Sequence, residues 1–337
     1  MNCCEKTSFA LDRRTALQGL TGGLALSAAR RAQAAGRLRL AFCGQLLCVV
    51  PYEVAQARGH FRENGLDVEL VYTRGGNQAM QALVGGAVDY AGTSFDVALQ
   101  AFANGAPIRR FASTGRLPLF ALATAPRAAD RIRGVQDLKG QTVGVSGLGN
   151  ADHALVLYLL AREGVDASGV RFAAIGTNLF EALRRGQVDA GMVQEPALTL
   201  VQEAGGRVVF NAMDLDDARA KLGGAYEFMG VAVRAQERER RLDEMRRLAR
   251  ALAAGLQDTR RIPVEEAVAA LPKELVAGGD RGRLAAMLDR YRGSLYPDDV
   301  RLDLEAAQRV EEASRVAGLL TKDVDLSVLL DRAVLEG

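Results

Sequence analysis

The sequence is poor in the residues from which most metal and catalytic sites are built. Among its 337 residues there are no tryptophans, two histidines and four cysteines. His60 and His153 are far apart and lack the spacing of metal ligands, so no metal site is expected. No Walker sequence is present, and Gly147-Leu148-Gly149 lacks the third glycine of a dinucleotide-binding motif, because Asp152 stands there. No cofactor is therefore predicted.

The sequence also carries little net charge. The formal charge is +2, from 43 basic and 41 acidic residues, and the excess of bases lies in the first 34 residues. A nucleic-acid-binding surface needs a basic stripe, which the nearly neutral remainder does not provide. The 36 glycines and 8 prolines are spread along the chain, so no low-complexity tract stands out. The length favours about two globular domains.

The first 34 residues resemble an export signal. The segment Asp12–Leu17 is similar to the twin-arginine signature, although Ala16 stands where that pattern usually has phenylalanine. The uncharged stretch that follows is too short and too rich in Gly and Ala to span a bilayer. Ala32-Gln33-Ala34 predicts cleavage after Ala34, which places the mature protein in the periplasm. General secretion, or a disordered cytoplasmic tail, is the alternative interpretation.

Two cysteines, Cys43 and Cys48, remain after the predicted cleavage. An oxidising compartment permits a disulfide between them, but spacing alone does not establish the required geometry. Isolated cysteines in apolar surroundings are more often simply buried. Both states stay open at the level of the sequence.

The chain repeats itself at an offset of one hundred residues. The segment Gln81–Asp89 returns as Glu181–Asp189, with Ala, Leu, Gly, Val and Asp in register. Each copy predicts a helix closed by glycine, followed by a Val-Asp turn into a short buried strand. The period is longer than the roughly 20–50 residues of solenoid repeats, so it indicates two similar α/β lobes. Clefts between such lobes are where small ligands usually bind.

Strand and helix patterns alternate through both halves, as is typical of parallel βαβ units. We place the first lobe in residues 35–123 and 225–337 and the second in residues 124–224, so that the chain crosses between them about twice. Pro51 is expected in the first turn of a helix that runs toward Gly59. Beyond residue 236, long amphipathic helices without a strand signal are interpreted as a cap packed on the first lobe.

Polar loops follow the strands of both lobes, at the edge where ligands bind in doubly wound sheets. They precede helices, whose N-termini suit an anionic or polar ligand. The same residue types are also ordinary helix caps and turns. The candidate ligand-binding residues are Gln45, Arg74, Gly76, Asn77, Thr93, Ser94, Ser113, Thr114, Ser146, Gly147, Asn150, Thr177, Asn178, Gln194 and Glu195.

Charged residues in these loops allow more than one role. Arg74 and Arg116 are the cations expected to meet a carboxylate, sulfonate or phosphonate, unless they are solvated loop charges. Glu195 is expected either to meet an amine or to cap the next helix. His153 is either a ligand contact or a capping residue, and His60 is expected to end a helix. No Ser-His-Asp or Cys-His arrangement can be argued, so no catalytic residue is predicted.

Four segments resemble motifs of a known family. His60–Val68, Leu83–Asp89, Asp137–Val145 and Ala182–Asp189 are similar, in order and spacing, to motifs of periplasmic substrate-binding proteins for sulfonates, nitrate and thiamine-pyrimidine precursors. The match covers roughly residues 37–235. It implies a type II periplasmic-binding-protein clamshell, in which each lobe is a mainly parallel sheet flanked by helices. It also implies a monomer that captures a small anionic organic solute and delivers it to the permease and ATPase of an ABC importer.

The resemblance does not fix the ligand. Some members stack a ring of the solute on tryptophan, which this chain lacks. Phe42, Tyr52, Phe95 and Phe120 are the aromatic candidates to replace it, with core packing as their other possible role.

Two other functions remain open beside transport. One is an enzyme on the same fold, either a lyase or a thiamine-pyrimidine-type synthase, for which Glu195 with His153 is the candidate acid–base pair. The related synthases consume an active-site histidine and carry a cysteine-rich iron motif, and nothing in this sequence matches that motif. The other is a periplasmic ligand sensor that acts on a regulatory partner.

Overall fold

Two five-stranded sheets, each flanked by helices, form the fold of the computed structural model, which describes residues 36–44, 46–276 and 280–336. The strands are β1 (Leu38–Cys43), β2 (Val68–Thr73), β3 (Tyr90–Ser94), β4 (Ile108–Ser113), β5 (Ala121–Thr124), β6 (Thr142–Val145), β7 (Arg171–Ala174), β8 (Ala190–Val193), β9 (Val208–Asn211) and β10 (Met229–Arg234).

Helices connect these strands and make up the C-terminal part of the described chain. They are α1 (Leu46–Ala57), α2 (His60–Glu63), α3 (Gly76–Val84), α4 (Phe95–Ala103), α5 (Ala151–Arg162), α6 (Leu179–Arg184), α7 (Ala197–Glu203), α8 (Leu215–Leu222), α9 (Arg238–Arg261), α10 (Val264–Ala269), α11 (Lys273–Val276), α12 (Arg281–Leu295), α13 (Leu304–Val316) and α14 (Leu326–Leu329).

The two sheets have the same plan. Their strand orders are β2-β1-β3-β10-β4 and β7-β6-β8-β5-β9. In each sheet three neighbouring strands pair in parallel, and the fourth strand is antiparallel to both of its neighbours. That fourth strand is the first one formed after the chain has crossed from the other sheet. The predicted α/β fold of two similar halves is confirmed, and we call each sheet with its flanking helices a lobe.

The aspartate at the end of each copy of the one-hundred-residue repeat holds two central strands together. Asp89 accepts a hydrogen bond from the Arg39 N–H at 2.8 Å, and Asp189 accepts one from the Thr142 N–H at 2.9 Å. Each carboxylate therefore ties the approach to β3 or β8 to the start of β1 or β6. Arginines pair with both carboxylates as well. Gly86, which closes the first copy's helix, has a positive φ of 76° that favours glycine.

The first helix begins earlier than predicted, at Leu46, so Pro51 lies inside it and not in its first turn. A proline inside a helix leaves the carbonyl four residues earlier without its N–H partner. That carbonyl belongs to Leu47, and it accepts a hydrogen bond from the Tyr296 hydroxyl at 2.9 Å. A distant side chain therefore satisfies the group that the proline frees, which a local sequence pattern does not reveal.

Strand β5 belongs to the second sheet, although it was expected in the first. β5 lies within the segment assigned to the first lobe up to residue 123, but it pairs with β8 and β9 of the second sheet. All four of its residues are buried, so its pattern does not indicate which sheet it joins. The next strand, β9, and the helix α8 after it were not predicted at all.

The C-terminal helices contact both lobes, although a cap on the first lobe alone was expected. Helix α9 packs against α1 and α2 in the first lobe. Helix α13 contacts α4 of the first lobe and α5 of the second. Helix α12 also reaches the second lobe, since Tyr291 accepts a hydrogen bond from the Asn211 amide at 3.0 Å. These helices therefore join the two lobes as well as covering one of them.

Candidate ligand-binding cleft

The predicted loops of the two lobes meet at one place. The Asn77 amide at the start of α3 donates to the Asn150 side-chain oxygen at 3.2 Å. The Gln100 amide on α4 donates to the Gly149 carbonyl at 3.5 Å. Both bonds join a first-lobe helix to the loop that precedes α5. The carboxyl ends of the parallel strands β2, β3 and β6 therefore face each other across a cleft.

The first-lobe side of the cleft is closely packed. A Cβ at Gly76 would lie 3.7 Å from the Thr93 Cβ and 3.9 Å from the Ser94 nitrogen, so these three residues are neighbours. Thr93 and Ser94 lie at the end of β3 itself, where a loop was predicted. Thr93 is fully buried, and its hydroxyl has no hydrogen-bond partner among the described residues.

Beneath this surface lies a buried ion pair that the sequence did not single out. The Arg110 guanidinium lies 2.9 Å from the Glu227 carboxylate, and both side chains are buried. Arg110 also donates to the carbonyls of Thr93 and Phe228, at 3.0 and 2.8 Å. It therefore joins β3, β4 and the segment that enters β10. Burial raises the pKa of Glu227.

Two further candidates of the first lobe face inward. Ser113 hydrogen-bonds with Glu227, and the Thr114 hydroxyl lies 2.9 Å from the Tyr52 hydroxyl. Ser113 and Thr114 are each only 2% exposed. Their hydroxyls therefore stabilise the segment that leaves β4 for the second lobe.

The second-lobe side is a loop that satisfies its own polar groups. The Asp152 carboxylate accepts hydrogen bonds from the Ser146 hydroxyl, at 2.7 Å, and from the Ser146 N–H. The Asn150 amide donates to the Ser146 hydroxyl at 3.0 Å. A Cβ at Gly147 would lie 2.7 Å from the Asn150 side-chain nitrogen, so a larger residue there would disturb this network. Ser146 itself is exposed, and Asp152 is fully buried.

The remaining polar candidates follow β7 and β8. Asn178 is exposed and precedes α6, while Thr177 is described only by its backbone, in the turn Gly176–Asn178. Gln194 is half-buried after β8. Glu195 accepts hydrogen bonds from the N–H and the hydroxyl of Thr199 in α7, so it takes the capping role of its two expected roles. Gln45 lies outside the described residues.

The two candidate cations have different environments. Arg74 is exposed, and its guanidinium forms no ion pair with any residue that the structure describes. Arg116 donates to the carbonyls of Ser294 and Gly293 near the end of α12, and burial lowers its pKa. The expectation that Arg116 faces the cleft as a free cation is therefore wrong, because it completes the C-terminal end of a helix.

The two histidines are structural in their contacts. His60 begins α2, although it was expected to end a helix, and its Nε2 lies 2.7 Å from Asp258 of α9. His153 accepts a hydrogen bond from the Gly149 N–H at 3.0 Å through Nδ1, and its ring packs edge-on against Phe172. Burial lowers the pKa of His153. Of its two expected roles, His153 therefore takes the capping role, in the loop before α5.

Two buried aspartates, Asp96 of the first lobe and Asp152 of the second, are close enough to interact electrostatically, and the sequence analysis did not identify them as site residues. Burial, and to a smaller extent the charge of Asp152, raise the pKa of Asp96 to about 6. Burial likewise raises the pKa of Asp152. Each is the second residue of its helix, α4 or α5. That position was their only signal, and it is shared by many ordinary helix-start aspartates.

The aromatic candidates pack in the core. Phe42 stacks on Tyr52 with ring centroids 4.9 Å apart, and both are fully buried. Phe95 is fully buried below the Arg110 guanidinium, and Phe120 packs edge-on against Phe228. These four rings therefore stabilise the lobes from inside.

Cys43 and Cys48 are both buried, and no disulfide joins them. A hydrogen bond with Cys43, together with burial, raises the pKa of the Cys48 thiol. The sequence left open whether the two cysteines are joined by a disulfide or reduced, and in the structure they are reduced.

None of the helices formed by the described residues combines the length and apolar character needed to cross a membrane. Across residues 36–44, 46–276 and 280–336 no cluster of His, Cys, Asp and Glu is arranged to hold a metal ion. A cavity of about 450 Å³ lies between α10 and α12, lined by residues such as Val268 and Ala285, away from the cleft.

The two-lobed arrangement is the fold of the periplasmic binding proteins. A family model described as NMT1/THI5 like matches residues 49–266, and the chain belongs to that family. A search of curated proteins finds no significant match.

Solved structures share this fold. The chain is 24% identical to a protein from Bordetella bronchiseptica RB50, with a TM-score of 0.77 over 89% of this chain and 96% of that one. It is 19% identical to the periplasmic aliphatic sulphonate-binding protein SsuA from Escherichia coli, with a TM-score of 0.70 over 88% and 92%. It is 14% identical to the periplasmic nitrate-binding protein NrtA from Synechocystis PCC 6803, with a TM-score of 0.72 over 90% and 88%. At these identities the likeness establishes the fold.

Proposed function

We propose that the protein is an extracytoplasmic solute-binding protein that captures a small organic solute between its lobes and delivers it to an ABC importer. The observation that carries this proposal is the meeting of polar loops from both lobes, at the Asn77–Asn150 hydrogen bond. Structural neighbours whose names describe sulphonate and nitrate binding support the same role.

The mechanism follows from the arrangement of the cleft. A solute that contacts the end of β3 and the Ser146 loop together touches both lobes only when they are closed. It therefore favours the closed state by its differential affinity for that state. The closed form then docks, as a monomer, on the permease and ATPase subunits of the importer. Residues 1–34, which lie outside the described part, are proposed as the signal that exports the protein to the periplasm.

Arg74 supports an anionic group on the solute. It is exposed next to Gly76 at the start of α3, and no described carboxylate neutralises it. Arginine binds carboxylate, sulfonate and phosphonate oxygens through two parallel N–H donors. We therefore assign the rim of the cleft at Arg74 to an anionic group of the solute.

The enzyme alternative rested on Glu195 and His153 as an acid–base pair, and both side chains form hydrogen bonds within their own segments. Glu195 is hydrogen-bonded to Thr199 and His153 to Gly149, each within its own helix region. A general acid and a general base must both reach the reacting group. Binding without conversion is therefore the function that these contacts favour.

A thermal-shift screen of the protein from Ala35 onward, against sulfonates, carboxylates, nitrate and aminopyrimidines, tests the proposal. A solute that binds the folded state raises the melting temperature by mass action. We expect a shift with at least one solute, which is recovered unaltered. Conversion of the compound would favour the enzyme, and a partner-dependent response without uptake would favour the sensor.

A pair of serine variants locates the site. Ser146→Leu places a bulky side chain at the exposed cleft loop, and we expect it to abolish the shift while the protein stays folded. Ser168→Leu is the matched control, because Ser168 also donates its N–H and hydroxyl to one aspartate, Asp166, and is also exposed. It precedes β7 and so lies at the opposite edge of the sheet. Equal shifts in both variants would contradict the cleft assignment.

A further inference from the structure

Four buried side-chain atoms lack a hydrogen-bond partner among the described residues, and three of them lie around the end of β3, at the inner end of the cleft. These three are the Thr93 hydroxyl, one carboxylate oxygen of Asp96 and Nε of Arg110. Their side chains are 0%, 3% and 0% exposed. Buried polar atoms in folded proteins are nearly always hydrogen-bonded, so a group of unpaired ones at one place indicates a role beyond folding.

The neighbours of Asp96 explain why its second oxygen is unpaired. Ser94 hydrogen-bonds with the Asp96 carboxyl group from the end of β3. Arg110 approaches from β4, but its terminal nitrogens are held by Glu227 and by two carbonyls. No described cation therefore forms an ion pair with Asp96.

Among the other groups near Asp96, the charge of Arg110 favours the ionised carboxylate and the charge of Asp152 opposes it, while Tyr226 is an uncharged phenol. Asp152, on α5, raises the pKa of Asp96 by repulsion. Tyr226 approaches from the segment before β10, and its own pKa is raised by burial and by the Asp96 charge. An anionic group would be repelled here, whereas an N–H donor would pair with the free carboxylate oxygen.

We propose that the solute presents an N–H donor group, an ammonium, amidinium or amino-heterocycle, to Asp96 and Thr93 at the inner end of the cleft. This inference rests on the proposed function and deepens it. Together with Arg74 at the rim, it describes a solute with an anionic group at one end and an N–H donor at the other. An anionic solute without such a donor leaves the Asp96 oxygen unpaired.

The first test uses the protein without added solute. Asp96 binds its proton more tightly in the folded protein than in the unfolded chain, because burial raises its pKa to about 6. Its contribution to stability therefore falls as the pH rises from the unfolded value through about 6. Asp96→Asn removes the buried charge, so at a pH above this range we expect its melting temperature to equal or exceed that of the wild type. A clear loss of stability would show that the carboxylate is a structural group, and would overturn the proposal.

The second test uses formamidinium chloride as a probe that carries only the donor group, with potassium chloride at equal ionic strength as the reference. We expect a saturable rise in melting temperature in the wild type above the Asp96 pKa and none in Asp96→Asn. Asp166→Asn is the charge-matched control, because Asp166 is exposed and far along the second lobe, and it should behave as the wild type. An equal response of all three proteins, or no response in the wild type, would overturn the assignment.

The third test separates this inference from the proposed function. Taurine and ethanesulfonate differ by one ammonium group, and we expect taurine to bind about tenfold or more tightly, as for a hydrogen bond between charged groups. Asp96→Asn should remove that difference. One possible result is that solutes bind, that Ser146→Leu abolishes this binding and that Asp96→Asn does not alter it. This result would support the proposed receptor function and contradict the donor subsite. If Ser146→Leu also leaves binding unchanged, both proposals fall.

Discussion

The two sides of the cleft satisfy their polar groups in opposite ways. On the second lobe, Ser146, Asn150 and Asp152 bond to one another, and Ser146 remains exposed. On the first lobe, the buried Thr93 hydroxyl and one oxygen of the buried Asp96 have no hydrogen-bond partner in the described part of the chain. A self-bonded, exposed loop holds its shape at little cost, whereas an unpaired buried group costs about 1–3 kcal/mol. The second lobe therefore offers a preformed surface, and the first lobe holds the groups that a ligand would stabilise.

The largest expected effect comes from breaking the ion pair below the first-lobe surface. Arg110→Ala leaves Glu227 buried without a cation, and a broken buried pair typically costs about 3–5 kcal/mol. Urea unfolding measures this loss. Arg127→Ala is the matched change in the second lobe, where the arginine side chain is 52% exposed, and we expect it to cost at most about 1 kcal/mol.

A double variant identifies the cause of this loss. Arg110→Met with Glu227→Leu removes both charges, so it should recover much of the stability lost in Arg110→Ala. If the double variant is no more stable than Arg110→Ala, packing and the bonds to the Thr93 and Phe228 carbonyls dominate over the unpaired charge.

A smaller loss is expected where β10 passes over the same arginine. A Cβ at Gly230 would collide with the Ala112 carbonyl and the Arg110 guanidinium, so Gly230→Ala forces the backbone apart. Such overpacking typically costs about 1–3 kcal/mol. Gly293→Ala is the control, because Gly293 lies in helix α12 with nothing near its missing Cβ, and it should stabilise by up to about 1 kcal/mol. A neutral Gly230→Ala would mean that the first lobe adapts more readily than its packing indicates.

The repeated aspartates test whether the lobes are equivalent away from the cleft. Asp89→Ala and Asp189→Ala each remove an acceptor that holds the first residues of a central strand. We expect both to lose about 1–2 kcal/mol, as for other hydrogen bonds to charged groups after allowance for partial exposure. Urea midpoints that differ widely between the two variants would show that the likeness of the lobes does not extend to their energetics.

The sequence predicted these shared features better than it predicted the site. The repeat required two similar halves, and its glycine and aspartate have the same roles in each lobe. The local pattern failed where distant residues decide the structure. Pro51 is tolerated inside α1 because Tyr296 bonds to the Leu47 carbonyl, and the sheet that β5 joins depends on partners that come later in the chain.

The site residues show the same limit. The polar loops were identified because Gly, Ser and Asn before helices form a local pattern. Their actual roles depend on neighbours from other elements, as when Arg116 bonds to the end of α12. Asp96 and Arg110 gave no local signal, since an aspartate early in a helix and an arginine in a strand are both common. Only the burial of both, with unpaired atoms, marks them.

The smallest expected effect lies where the two sides touch. Asn77→Ala removes the hydrogen bond to Asn150, which is partly exposed and should contribute about 0.5–1 kcal/mol. In the proposed mechanism this bond forms only when the lobes close, so its loss should weaken solute binding a few-fold and leave the urea midpoint almost unchanged. Gln81→Ala, one turn further along α3, is the control, because Gln81 is exposed on the same helix and is not among the candidate ligand-binding residues. Equal affinities of Asn77→Ala and Gln81→Ala would mean that the preformed second-lobe loop does not need its partner in the first lobe to bind the solute.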